Sequence, residues 1–279
     1  MNYLAHLYLA AVPADLSKRQ ASLATVPADL SKRQSSLATV PADLSKRQSS
    51  LATVPADLSK RQASLATVPA DVSERQASLA TVPADLSKHQ ASLADGTDES
   101  LVGSLLGDFV KGDAHNGYSA GIRRAILIHR KIDAYSNAHH VYRWSKRRIH
   151  SSYRHTRGIL VDLFYDHFLA RDWDTYADEA LPHFSRRVYR ALRAHQDILP
   201  PRLQSILTKM AADNWLLAYR DMTNIGHALA GLSLRLTRRN ELARGLEELR
   251  RNYTDLEGDF RAFFPQLVDY AVAMKDSTL

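Results

Sequence analysis

The sequence predicts an all-α protein, a helical bundle interrupted by a low-complexity insertion, and three observations carry that expectation. From about residue 100 onward, apolar residues recur at helical spacing. No stretch sustains period-2 alternation, and no Asn-Gly turn joins two alternating runs. Between the short apolar start and that helical body lies a tandem repeat with a period of 14 residues.

Composition narrows the chemistry. The chain of 279 residues has 45% hydrophobic residues, enough for a core, and could hold one large domain or two small ones. It contains no cysteine, which excludes disulfides, zinc-thiolate sites, iron–sulfur clusters and thiol nucleophiles. Metal ligation is thereby limited to His and carboxylate, which suit Mn, Mg, Fe or Zn. A formal charge of +7 points to anionic partners: nucleic acid, phosphorylated metabolites or an acidic protein. No apolar run approaches the roughly 18 residues of a membrane span, and no secretory cleavage pattern stands near the start, so a cytoplasmic protein without membrane contact is expected.

Residues 1–10 are apolar around a single polar residue, His6, and fit a buried helix. A His there is either satisfied by a backbone carbonyl or bound to a metal. From 11 to 96 the unit Val-Pro-Ala-Asp-Leu-Ser-Lys-Arg-Gln-Ala/Ser-Ser-Leu-Ala-Thr recurs, with prolines at 13, 27, 41, 55, 69 and 83. Val26, Leu30, Leu37 and Val40 could form a thin stripe. Each internal proline would cost a continuous helix about 3 kcal/mol. The expectation is a mobile arm of nascent helices, a tandem duplication inserted into a pre-existing fold, either inert or partner-binding. The folded domain is then 1–10 together with 97–279.

Helical patterning resumes at Ser100, which can cap a helix through Leu101, Leu105 and Phe109 that Gly112 closes. Asp108 sits in this apolar segment and needs a partner or a metal. From Ala120 to about Trp144 one long helix is expected, with His129 and Asp133 one turn apart on one face. They form either an ion pair or part of a metal site. Arg130 and Lys131 fit a solvated face or a phosphate site. Arg143, Lys146, Arg147, Arg148, Arg154 and Arg157, interleaved with Tyr142, Trp144 and Tyr153, fit nucleic acid, an acidic protein helix or a solvated surface. Between Ile159 and Trp173, Asp162 and Asp166 repeat the i,i+4 spacing, with His167 added. Further helices are expected from Pro182 to His195, from Pro200-Pro201, after an Asp213 cap, and from Asn240 to a stop at Pro265. Imidazole and carboxylates on apolar helices are what a divalent-metal site in a bundle needs.

Several of these stretches together resemble a known family. Met1-Asn-Tyr-Leu-Ala-His6-Leu, Gly103-x-x-x-Gly-Asp108-Phe-Val-Lys-Gly112, His129-Arg-Lys-Ile-Asp133, Asp166-His167-Phe-Leu and Trp215-x-x-x-Tyr-Arg-Asp221-Met resemble, in order, the acyl carrier protein phosphodiesterases, distant members of the HD-type metallophosphohydrolases. The repeat array departs from the family, which has a short connection there. The resemblance implies an HD-type helical bundle and removal of 4′-phosphopantetheine from a serine of holo-acyl carrier protein. It implies a divalent ion, Mn²⁺ first and Mg²⁺ or Fe²⁺ as alternatives, held by His6, Asp108, Asp133, Asp166 and His167. His129 is then a further ligand or a proton donor. Arg130 and Lys131 would meet the phosphate, and Arg220 or Asp221 would support the ligands. Arg143, Lys146, Arg147 and Arg148, with Arg186, Arg187 and Arg190, would dock the acidic carrier protein. The rival readings are an HD-type nucleotide phosphohydrolase and a non-catalytic basic binding protein, nucleic acid being the less expected partner.

Overall fold

The computed structural model describes residues 3–12, 97–112 and 117–276. Those residues are helical and contain no strand, as the apolar spacing requires. The repeat segment, apart from Ala11 and Val12, lies outside the described residues, and with it the domain boundaries drawn around it.

Tyr3–Ala11 forms α1, in which every residue except Ala10 is buried. A helix apolar on all sides belongs in a core, and burial cuts its end groups off from water. Both ends are answered by distant side chains. Asp166 accepts hydrogen bonds from the amides of Leu4 (3.2 Å) and Ala5 (3.0 Å). At the other end Lys275 Nζ donates to the carbonyls of Ala10 (2.9 Å) and Val12. The Lys275 cation at the C-terminus also suits the helix dipole.

Helix α2 spans Asp98–Leu106 and packs on α3, Ala120–Ala138. The cap of α2 is Thr97 rather than Ser100; its hydroxyl accepts from the Ser100 amide at 3.1 Å. Asp98 and Glu99 then occupy a first turn that favours acids. The helix closes at Gly107, and Gly112, with φ +74°, belongs to the turn beyond.

The long helix expected to reach Trp144 breaks at His139, whose ψ is 132°, and α4 follows as His140–Arg148. Neither proline nor glycine marks the break. Packing decides it: the turn brings Tyr142 to within 5.8 Å of the Phe263 ring and 6.0 Å of Tyr165. Its hydroxyl donates to Asp162 Oδ1 at 2.5 Å.

Helix α5, Arg157–Arg171, is buried from Leu163 to Ala170. It is followed by α6 (Leu181–Ala194), α7 (Pro201–Ala212), α8 (Met222–Arg235), α9 (Leu246–Arg251) and α10 (Tyr253–Asp276). A one-turn helix, Trp215–Ala218, is capped by Asn214 instead of Asp213. Asn214 has φ 44° and accepts from the Leu217 amide, a conformation Asn tolerates better than most residues. Pro265 does not stop α10, which continues to Asp276. An internal proline costs about 3 kcal/mol, and here buried Phe263, Phe264, Leu267, Val268, Ala271 and Val272 hold both halves on the core. Tyr8 anchors the centre, edge-on to Trp173 and donating to the Tyr176 carbonyl at 2.7 Å.

Burial pushes the Asp166 carboxyl up to about 8, against the pull of its two amide donors. A raised acid contributes its full stability below the unfolded value near 4 and loses it as the pH climbs through about 8. Denaturant unfolding across that window is therefore expected to show falling stability, with Asp166→Asn flattening the slope. Asp166→Ala, which leaves two buried amides unpaired, is expected to cost about 2 kcal/mol; an unchanged denaturation midpoint would contradict the anchoring of α1.

Candidate active site

Three helices converge on one group of side chains. Buried α1 supplies His6, α3 supplies His129 and Asp133, and the turn ending α2 supplies Asp108. His6 Nε2 lies 3.0 Å from Asp133 Oδ1, and His129 Nε2 lies 3.3 Å from Asp133 Oδ2. Asp108 Oδ1 comes within 3.9 Å of His129 Nε2. The imidazoles stack with centroids 3.8 Å apart. Candidate ligand atoms of His6, His129 and Asp133 all lie within 4.8 Å of one another.

Two glycines make this convergence possible. A Cβ on Gly103 would stand 2.5 Å from the Ile122 carbonyl, so only glycine lets α2 lie this close to α3. A Cβ on Gly107 would stand 2.2 Å from the His129 ring. Nearby, the Ser104 hydroxyl donates to the His6 carbonyl at 2.9 Å, fixing the turn of α1 that carries the imidazole.

Burial lowers the His6 pKa, and the neighbouring His129 lowers it further. For Asp133, burial alone would raise the carboxyl, yet the facing imidazoles of His129 and His6 hold it well below the usual carboxylate range. A neutral imidazole beside an ionised carboxylate is the protonation state a divalent ion requires. His129 Nε2 and Asp108 Oδ2 are buried without a hydrogen-bond partner, the 3.3 Å approach of His129 to Asp133 being poorly aligned. Unpartnered buried polar atoms are costly, and these fit a cation held by nitrogen and oxygen. Asp133, with its side chain 51% exposed, opens the group to solvent.

The remaining site candidates are placed elsewhere. Asp166 spends both oxygens on α1. His167 has Nδ1 at 2.9 Å from the Tyr219 carbonyl and Nε2 at 3.0 Å from the Tyr253 hydroxyl; it ties α5 to its neighbours. Their adjacency in sequence sends these two side chains to different partners, none of them a side chain of the His6–His129–Asp133 group. Arg130 donates to the Val110 carbonyl at 2.9 Å and so tethers the turn after Asp108. Lys131 is exposed, and a residue two positions from both His129 and Asp133 does not share their face. Arg220 donates to the Ala170 carbonyl at 3.0 Å, and Asp221 caps α8 through the Thr223 amide.

Among the basic residues, Arg148 is already engaged: it grips buried Asp259 through two hydrogen bonds and reaches Asp255 at 2.9 Å. Arg187 pairs with Glu179 at 2.8 Å. Arg143 and Arg147 are exposed. Lys146 donates to Asn137 at 3.2 Å, and Asn137 in turn donates to the Asp133 carbonyl. The cationic edge of α4 thus begins one helical turn from the cluster. Sequence reasoning missed Ser104 and Asn137, which carry no local signal, and missed the steric duty of Gly103 and Gly107 although their spacing was visible.

A family model described as acyl carrier protein phosphodiesterase matches residues 89–267. The chain belongs to the acyl carrier protein phosphodiesterase family. Curated relatives named acyl carrier protein phosphodiesterase agree. The protein of Serratia proteamaculans is 33% identical over 175 residues, covering 62% of this chain and 91% of that relative. That of Photorhabdus laumondii is 30% identical, covering 62% and 88%. That of Yersinia enterocolitica is 31% identical, covering 62% and 91%. No solved structure matches this chain. The family match includes Asp108, His129 and Asp133 but begins after His6, which joins them only through the fold.

Gly107→Ala is expected to displace the His129 ring and weaken Mn²⁺ binding by at least about tenfold in calorimetric titration, with little loss of helix content. Arg148→Ala leaves buried Asp259 with the Ser145 hydroxyl but without its cationic partner, and is expected to destabilise by about 3 kcal/mol, read from urea unfolding. Full stability with impaired substrate use would instead make Arg148 a docking residue.

Proposed function

We propose that this chain hydrolyses the phosphodiester joining 4′-phosphopantetheine to a serine of holo-acyl carrier protein. Water adds to phosphorus, the bond from phosphorus to the serine oxygen breaks, and that oxygen takes a proton. The products are apo-protein and free 4′-phosphopantetheine. The observation that carries this reading is the His6–His129–Asp133 group, beside Asp108, in a chain of this family.

His6, His129 and Asp133 would hold a divalent ion, with Asp108 completing the donor set, and Mn²⁺ suits these ligands. Such an ion supplies charge neutralisation on the phosphate and a water that ionises near neutral pH. His129 is best read as a ligand, since it is only 2% exposed and faces two carboxylates. Half-exposed Asp133 marks the side from which a phosphate can approach. Arg130 acts through the backbone, holding the Asp108 turn in place.

The carrier protein is acidic, and the α4 edge of Arg143, Lys146 and Arg147 is a cationic surface that Asn137 links to the cluster. Complementary charge of this kind speeds encounter and fades with salt. No helix among the described residues is long and apolar enough to cross a membrane.

The deciding experiment is intact-protein mass spectrometry of holo-acyl carrier protein incubated with this chain. With Mn²⁺ the substrate is expected to lose the mass of its prosthetic arm, whereas EDTA or Asp133→Ala abolishes the loss. Charge reversal of Arg143, Lys146 and Arg147 together is expected to lower kcat/KM at low salt by about tenfold or more. Cleavage that survives EDTA would remove the metal reading, and absence of cleavage with every divalent ion would remove the activity.

A further inference from the structure

A cavity of about 490 Å³ lies beside α8 and is lined by no residue of α4. That volume lies within the range of small-molecule sites, which are mostly apolar with a few placed polar groups. Tyr3, Trp215 and Tyr219 give it aromatic walls, and Asn224 offers both a donor and an acceptor.

Its floor is built from small residues on one face of α8, Ala228 and Gly231. Glycine inside a helix costs about 1 kcal/mol relative to alanine. At Gly103 and Gly107 close packing explains that cost; at Gly231 nothing lies within 4 Å of where a Cβ would stand. Neighbouring protein atoms therefore do not require the missing side chain at 231. What it preserves is room in the cavity.

The cavity and the metal group share helix α1, which lends Tyr3 to the one and His6 to the other. Tyr3 lies three residues before His6, hence on the same face of the helix. Its ring stacks with that of Phe109, the residue after Asp108, at 6.4 Å. Of the charged groups in the lining, Lys209 pairs with Asp213 at 2.8 Å, and the Arg235 guanidinium lies 5.7 Å from the centre of the Trp215 ring. An uncharged chain with amide groups suits the aromatic walls and Asn224, and His227 adds a further polar group to the lining.

We propose that the cavity between α8 and the first turn of α1 seats the pantetheine chain of the prosthetic arm, an assignment that rests on the phosphodiesterase reading above. With phosphate at the cluster and the chain of amides and methylenes along Tyr3, the protein recognises the group it removes as well as the carrier that bears it.

The test uses the intact chain, with pantetheine, which lacks the phosphate, as the probe in saturation-transfer NMR. Wild type is expected to give a saturable signal that Gly231→Phe, filling the cavity, weakens at least about tenfold. The same variant is expected to raise KM for holo-acyl carrier protein about tenfold while kcat stays within about twofold. Gly231→Ala, adding only a methyl, is expected to match wild type in both assays and to melt no lower. A folded Gly231→Phe protein that binds pantetheine and cleaves like wild type overturns the assignment. Cleavage by wild type without pantetheine binding also overturns it, leaving the phosphodiesterase reading intact. Pantetheine binding that depends on residue 231, in a protein that cleaves no holo-carrier with any divalent ion, supports the cavity and removes the reading.

Discussion

Burial of α1 is the constraint on which the rest of the structure depends. A nine-residue helix surrounded by protein has no water for its terminal amides and carbonyls. Asp166 and Lys275, remote in sequence from α1 and from each other, meet that need as an acceptor at one end and a donor at the other. The helix is thereby locked in rotation and in translation along its axis. Its polar residue, His6, can then occupy a defined place in an apolar core, where an unplaced imidazole would be a liability.

The second requirement is close approach. Imidazoles and carboxylates on separate helices share an ion only if those helices pack closer than ordinary side chains permit. Gly103 removes a side chain where α2 meets α3, and Gly107 removes one where α2 meets the His129 ring. Asp108 follows directly, so the residue that offers a carboxylate is positioned by the residue that yields space. Ser104 adds a bond to the His6 carbonyl. One short stretch of α2 thus shapes the cluster from two sides.

Charge is divided between two tasks. Arg148 and Arg171 are fastened to acids within the fold, Arg171 to Asp172 and Glu257. Their attraction is spent on holding α4 and α5 to α10. Arg143 and Arg147 remain exposed on α4, free to meet an anionic surface. A basic net charge therefore overstates the cationic surface available to a partner. The mostly uncharged lining beside Tyr3 complements that surface, one face suited to an acidic protein and the other to a neutral chain.

The sequence by itself determined the all-α class, because helical periodicity and the absence of alternation are local properties. It also determined the pairing of His129 with Asp133, since i,i+4 spacing on a helix leaves little freedom. It identified His6 and Asp108 as polar residues in apolar company that needed a partner. It could not tell Asp166 from Asp133, because both are acids one turn from a neighbouring polar residue. Only the tertiary structure decided that one faces two amides and the other two imidazoles. The break at His139 and the passage of α10 through Pro265 were equally illegible, since packing overrode local preference in both. Whether a buried polar group becomes a cap or a ligand depends on what the fold brings within about 3 Å of it, and that distance is set by residues far away in the chain.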